Sequence, residues 1–180
     1  MKLKDPSSLF SYCWILLIGF CTIANSIFSQ SVMLDTTLDK SVLVGKMSIG
    51  AIHDSAWYSE NSILDAYANQ CKDKIDSLSN SVSLKVYFGT WCSDSHRWVP
   101  YCWSLLKDTQ LEENLDLIGL PKDKIIRDSI SPGMDIIRVP TFVFYKNSKE
   151  IGRIIENPED DFVSDLFKIL LTAMNSDEVD

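Results

Sequence analysis

The residues best suited to covalent chemistry in this chain are its cysteines, of which there are five. Cys13 and Cys21 fall in an apolar N-terminal stretch, which leaves Cys71, Cys92 and Cys102 in the remainder. Three is an odd number, so at least one thiol has no partner within a monomer. Cys92 stands in the segment Trp91-Cys92-Ser93-Asp94-Ser95, after a β-rich run over 83–88 and before an apolar pattern of helical period. A thiol at such a junction meets unbonded amide groups and the positive end of the helix dipole, and both favour the nucleophilic thiolate. Ser95 is placed to donate a hydrogen bond to that thiolate, whereas the charge of Asp94 opposes it weakly. His96, four positions past the thiol, is expected to be solvated at the helix start. Cys71 recurs with Ile63, Tyr67, Ile75 and Leu78, and Cys102 with Trp98, Leu105 and Leu106, so both are expected on buried helical stripes as small hydrophobes. Cys71, Cys92, Cys102, His53 and His96 show no metal-ligand spacing, and neither a metal nor a cofactor is expected.

The elements that must position Cys92 follow from periodicity. A helix is predicted from Ser62 to about residue 78, a strand over 83–88, a helix beginning near Ser95, a strand over 115–120 and a short helix over 123–131. Two further apolar, β-rich runs, 141–145 and 150–155, are joined by Lys146, Asn147, Ser148 and Lys149 as an antiparallel hairpin. A final helix is expected to open with Asn157 as its cap and Pro158 in its first turn, followed by Glu159, Asp160 and Asp161. Its apolar stripe is Phe162, Leu166, Ile169, Leu170 and Ala173. Residues 30–59 carry mixed signals and receive no element. The order predicts one α/β domain, a mixed sheet with helices on both faces and a C-terminal hairpin plus helix. The chain accordingly divides into 1–29, an N-terminal extension at 30–60, the domain at 61–174 and an acidic tail at 175–180.

At Cys92 the sequence resembles the thioredoxin superfamily. In that family a strand runs into Trp-Cys-x-x-Cys, a proline lies eight residues past the first cysteine, and a Val/Ile-Pro-Thr precedes the terminal hairpin. Here those residues are Trp91, Cys92 and Pro100, then Val139, Pro140 and Thr141. The resemblance covers roughly residues 61 to 174 and implies a thioredoxin-like fold, a cis bond before Pro140, and Pro140 packed beside Cys92. It also implies that Trp91, Val139, Pro140 and Thr141 contact an extended substrate chain. Two positions depart from the pattern. Ser95 stands where the second cysteine belongs, giving a Cys-x-x-Ser site, and Val86 stands where thioredoxins proper carry a buried acid. The dithiol cycle is therefore absent. Cys102 cannot replace the missing thiol, because seven helical residues place it about 10 Å from Ser95 and further still from Cys92, beyond the ~7 Å that a disulfide spans.

Lys2 and Lys4 precede an apolar stretch over 9–27 that ends among small polar residues, the pattern of a secretory signal. Ala24, Ser26 and Ser29 supply the small residues that cleavage needs, and the bulk of Phe20 argues against lipidation of Cys21. An uncleaved anchor is the alternative, since roughly 19 apolar or small residues approach the ~20 that span a bilayer. Both place the remainder outside the cytoplasm, in or facing a periplasm, with membrane contact only through the N-terminal segment. The formal net charge of −8 excludes nucleic acid as a natural partner. What remains is an exported bacterial thioredoxin-like protein that exchanges disulfides through the single thiol of Cys92. Its partners would be client protein thiols or disulfides, or a small thiol. The alternative is a binding module that keeps the fold without redox turnover.

Overall fold

A computed structural model describes residues 31–35, 40–53, 62–123 and 135–175. In chain order the elements are β1 (Ser31–Asp35), β2 (Lys40–Met47), α1 (Ile49–His53), α2 (Ser62–Leu78), β3 (Val82–Phe88) and α3 (Ser93–Leu106). They continue as α4 (Gln110–Glu113), β4 (Leu115–Gly119), β5 (Thr141–Lys146), β6 (Lys149–Ile155) and α5 (Phe162–Asn175). Among the described residues six strands form one sheet in the order β1-β2-β4-β3-β5-β6. Of these described pairs, β3 and β4 run parallel and the others are antiparallel. With its terminal hairpin and helix, this is a mixed α/β sheet of thioredoxin-like design.

β3 lies at the centre because both of its faces and both of its edges are used. Leu84, Val86 and Phe88 point into the main core with Phe142 and Phe144 of β5, while Tyr87 points the other way, against Ile118, Val139 and Val143. Full burial of each large side chain contributes about 1.5–3 kcal/mol, so this strand cannot slip without heavy loss. Among the described residues all three long helices share the main core's face, where helices on both faces were expected: Cys71 and Ile75 of α2, Cys102 and Leu105 of α3, and Leu166 and Leu170 of α5 meet there. The short helix expected over 123–131 lies mostly outside the described residues.

Residues 31–35 and 40–53, which received no element, contain β1, β2 and α1: β2 pairs with β4, and Met47 and Ile52 enter the main core. The approach is close at Gly119, where a Cβ would stand 2.5 Å from the Leu43 carbonyl. The β5–β6 hairpin is tighter than four residues, because Asn147 (φ 50°) and Ser148 (φ 63°) form a two-residue turn with both central residues left-handed, and Lys146 and Lys149 join the strands. That turn twists with the strands it connects.

The cap of α5 is Asp161, not Asn157. Asp161 Oδ1 accepts hydrogen bonds from the Val163 and Ser164 amides at 3.0 Å each, and Oδ2 accepts from the Ser164 hydroxyl. Asn157 instead accepts from Trp98 Nε1 at 3.0 Å. Within the core beneath, Phe162 packs edge-on to Phe142 at 4.9 Å and stacks on Trp98 at 5.8 Å, which ties the start of α5 to α3. The Ser164 hydroxyl, the strongest influence, and the two amides hold the Asp161 carboxyl below its ordinary value. A carboxylate with a lowered folded pKa contributes stability above the unfolded value, and loses it as pH falls through the folded one. Asp161→Ala should therefore cost about 1 kcal/mol near neutral pH. That difference from wild type should vanish in strongly acid solution, as urea denaturation at the two pH values would show.

Candidate functional site

The end of β3 delivers the chain into a tight turn and then into α3. The Cys92 amide donates to the Gly89 carbonyl at 3.0 Å, and the Cys92 carbonyl accepts from the His96 amide at 3.2 Å. Cys92 is thus the N-cap residue of a helix that begins at Ser93, two residues before the expected start. Its side chain makes no capping bond and is half-buried. The thiol donates instead to the Val139 carbonyl at 3.2 Å. The Val139–Pro140 bond is cis, and Val139 is buried against Tyr87, Ile118 and Val143, with Cys92 and Trp91 packed beside them.

The turn before the thiol is shaped by Trp91 and Gly89. The indole lies on Gly89, where a Cβ would stand 2.6 Å from the ring, and its Nε1–H donates to the Leu120 carbonyl at 2.9 Å. Thr90 Oγ1 accepts from the Leu43 amide at 3.3 Å, so β2 also braces the turn. The His96 ring, with its Nε2 protonated, donates to the Thr90 carbonyl at 2.8 Å. His96 is half-buried and structural, where solvation was expected.

Ser95 departs from its expected role. It is fully buried, and its hydroxyl accepts from the Gly89 amide at 3.2 Å instead of bonding to Cys92. The physical reason is the same turn: the Gly89 amide, at the end of β3, is buried and needs an acceptor, and Ser95 supplies one. Thr141 is buried as well, with its hydroxyl donating to the Arg138 carbonyl at 2.7 Å. Cys92, Trp91 and Val139 therefore come together around one contact, Pro140 and Thr141 follow Val139 in the chain, and Ser95 is held against Gly89. Val86 is buried in β3 as an apolar core residue.

The other two described thiols are unlike Cys92. Cys71 and Cys102 are buried and unbonded to any sulfur, and burial pushes both thiols up, Cys102 most strongly. Among the described residues no group of three or more His, Cys, Asp or Glu side chains is placed to hold a metal ion, and no helix is long and apolar enough to cross a membrane.

No protein-family model matches the chain, and no curated protein does. Solved structures that match include oxidised mitochondrial thioredoxin 3 from Saccharomyces cerevisiae, at 21% identity and a TM-score of 0.35. That match covers 57% of this chain and 87% of the other. The fold class stands on the strand order and connections described above.

Two substitutions test this construction. Gly89→Ala should displace the Trp91 indole at a cost of roughly 1–3 kcal/mol, seen as a shifted Trp91 indole resonance and a lower denaturation midpoint. Ser95→Ala, which leaves the Gly89 amide buried without an acceptor, should cost about 1–3 kcal/mol by the same denaturation measurement. Cys71 and Cys102 should resist alkylation in the folded protein while Cys92 reacts, as mass spectrometry after native labelling would register.

Proposed function

We propose that the protein exchanges disulfides through Cys92 as a single thiol, in a compartment outside the cytoplasm. The observation that carries this reading is the contact of a half-buried thiol, at the start of α3, with the Val139 carbonyl. Attack of the Cys92 sulfur on a client disulfide forms one S–S bond, breaks one, and releases one client sulfur as thiolate. An external thiolate then attacks the mixed disulfide and restores Cys92, leaving the client sulfur bonded to the external thiol. No electrons are gained or lost by the protein over the cycle. An extended client segment would lie against the half-buried Trp91 and Cys92, beside the buried segment of Val139, Pro140 and Thr141.

A second reading has its own support. Ser95 faces Gly89 and no second thiol lies in the first turn of α3, which suits a binding module of this fold without turnover. The two separate in one assay. With oxidised glutathione the exchanger should form one mixed disulfide per chain, absent in Cys92→Ala, while adding little to insulin reduction by dithiothreitol. The binding module should form no adduct although its Cys92 remains open to alkylation.

Export is the second part of the proposal, supported by Lys2, Lys4 and the apolar stretch that follows. Made in a secreting bacterial host, the mature protein should begin between residues 25 and 31 on N-terminal sequencing. An intact chain in the membrane fraction would instead support the anchored form, and an intact soluble cytoplasmic chain would overturn both.

A further inference from the structure

Three consecutive carbonyls in the loop that leads into β5 each accept a hydrogen bond from a different donor. The Arg138 carbonyl accepts from the Thr141 hydroxyl at 2.7 Å, the Val139 carbonyl from the Cys92 thiol at 3.2 Å, and the Pro140 carbonyl from the Glu156 amide at 2.7 Å. The first of these is local and the second is the candidate reactive group. Glu156 ties the loop to the end of β6, and it does so twice. Its carboxylate also receives the Arg138 guanidinium, Nη1 to Oε2 at 2.8 Å.

The backbone at Glu156 marks the same device. Its φ is 57°, in the left-handed region where glycine and asparagine are at ease and a glutamate is strained. The Asn157 amide closes a tight turn around it by donating to the Ile155 carbonyl at 2.7 Å. This conformation aims one residue's amide and carboxylate at the two ends of the Arg138–Pro140 segment, with Val139 between them.

We propose that the Arg138–Glu156 ion pair is a latch that positions the Val139 carbonyl against Cys92. Arg138 and Glu156 are positioning residues for the exchange assigned above, on which this inference rests. With the latch closed, the thiol is held by its acceptor and the loop presents a fixed edge to an extended client. With it open, the loop shifts, the thiol loses its acceptor, and small reagents reach the sulfur more easily while a peptide loses its alignment. The two effects have opposite signs, which simple loosening of the fold would not produce. The Arg138 side chain is 64% exposed, so the pair is also open to screening by salt.

The test uses the full chain with Arg138→Gln, Glu156→Asn and the conservative Arg138→Lys. Two rates are measured on Cys92: alkylation by iodoacetamide, and exchange with a short peptide disulfide. The first two variants should raise alkylation about two- to fivefold, the scale of an exposed ion pair, and lower peptide exchange by a similar factor. Arg138→Lys should stay near wild type, and molar salt should move wild type towards Arg138→Gln. Glu156→Asn should melt no lower than wild type, since asparagine accepts a left-handed backbone more readily. Alkylation unchanged in both charge-removing variants, or both rates rising together as the melting temperature falls, would overturn the latch. A wild type that gives no peptide adduct, with alkylation still responding to the latch, would support the latch and overturn disulfide exchange.

Discussion

Tyr87 pairs with Thr141 at the end of the ladder between β3 and β5, and that register decides where everything else at the site can be. Cys92 lies five residues beyond Tyr87, and Val139 two residues before Thr141, so two segments 47 positions apart in sequence meet at 3.2 Å. A slip of one residue would carry Val139 about 3.3 Å along the strand and turn Val143 and Tyr145 to the opposite face. The slip is opposed by Phe142 and Phe144 in one core and Val143 in the other, all fully buried. Packing well away from the sulfur therefore sets the position of the sulfur's acceptor.

Around that contact the fold spends polar groups on structure that elsewhere might serve chemistry. Ser95 satisfies the Gly89 amide, His96 and Leu43 hold Thr90, and Trp91 is anchored to Leu120. Of the residues around the contact, Cys92 and Trp91 are half-buried, while Val139, Pro140 and Thr141 are buried. Cys71 and Cys102 sit in the main core and have the chemical character of small hydrophobes there. Among the described residues Cys92 is the one thiol that is not buried, and a single thiol with no other sulfur in reach can make a mixed disulfide but cannot resolve it internally.

Much of this was legible in the sequence, and the failures have physical causes. The period of α2 was readable because that helix has a buried stripe, and β3 because it is rich in β-branched and aromatic residues; the contact between Cys92 and the segment Val139-Pro140-Thr141 was implied by the family resemblance. β2 was not readable because Val42 and Val44 are buried on one face while Leu43 and Met47 pack on the other, which removes the alternation that marks a strand. The cap of α5 was misplaced because Asn157 and Asp161 are both good caps, and only the tertiary bond from Trp98 decides between them. The orientation of Ser95 could not be read from its place in the motif, since it depends on an amide six residues upstream that the turn has buried. The strain at Glu156 has no local sequence mark at all.

The central claim is that Cys92 alone carries the exchange, and peptide mapping tests it most directly. The reduced, folded protein is incubated with a disulfide-bonded peptide, quenched with acid and digested. The account predicts a single peptide adduct per chain, on Cys92, with Cys71 and Cys102 still reduced. An adduct on either buried thiol, or none on a Cys92 that iodoacetamide still alkylates, would contradict it.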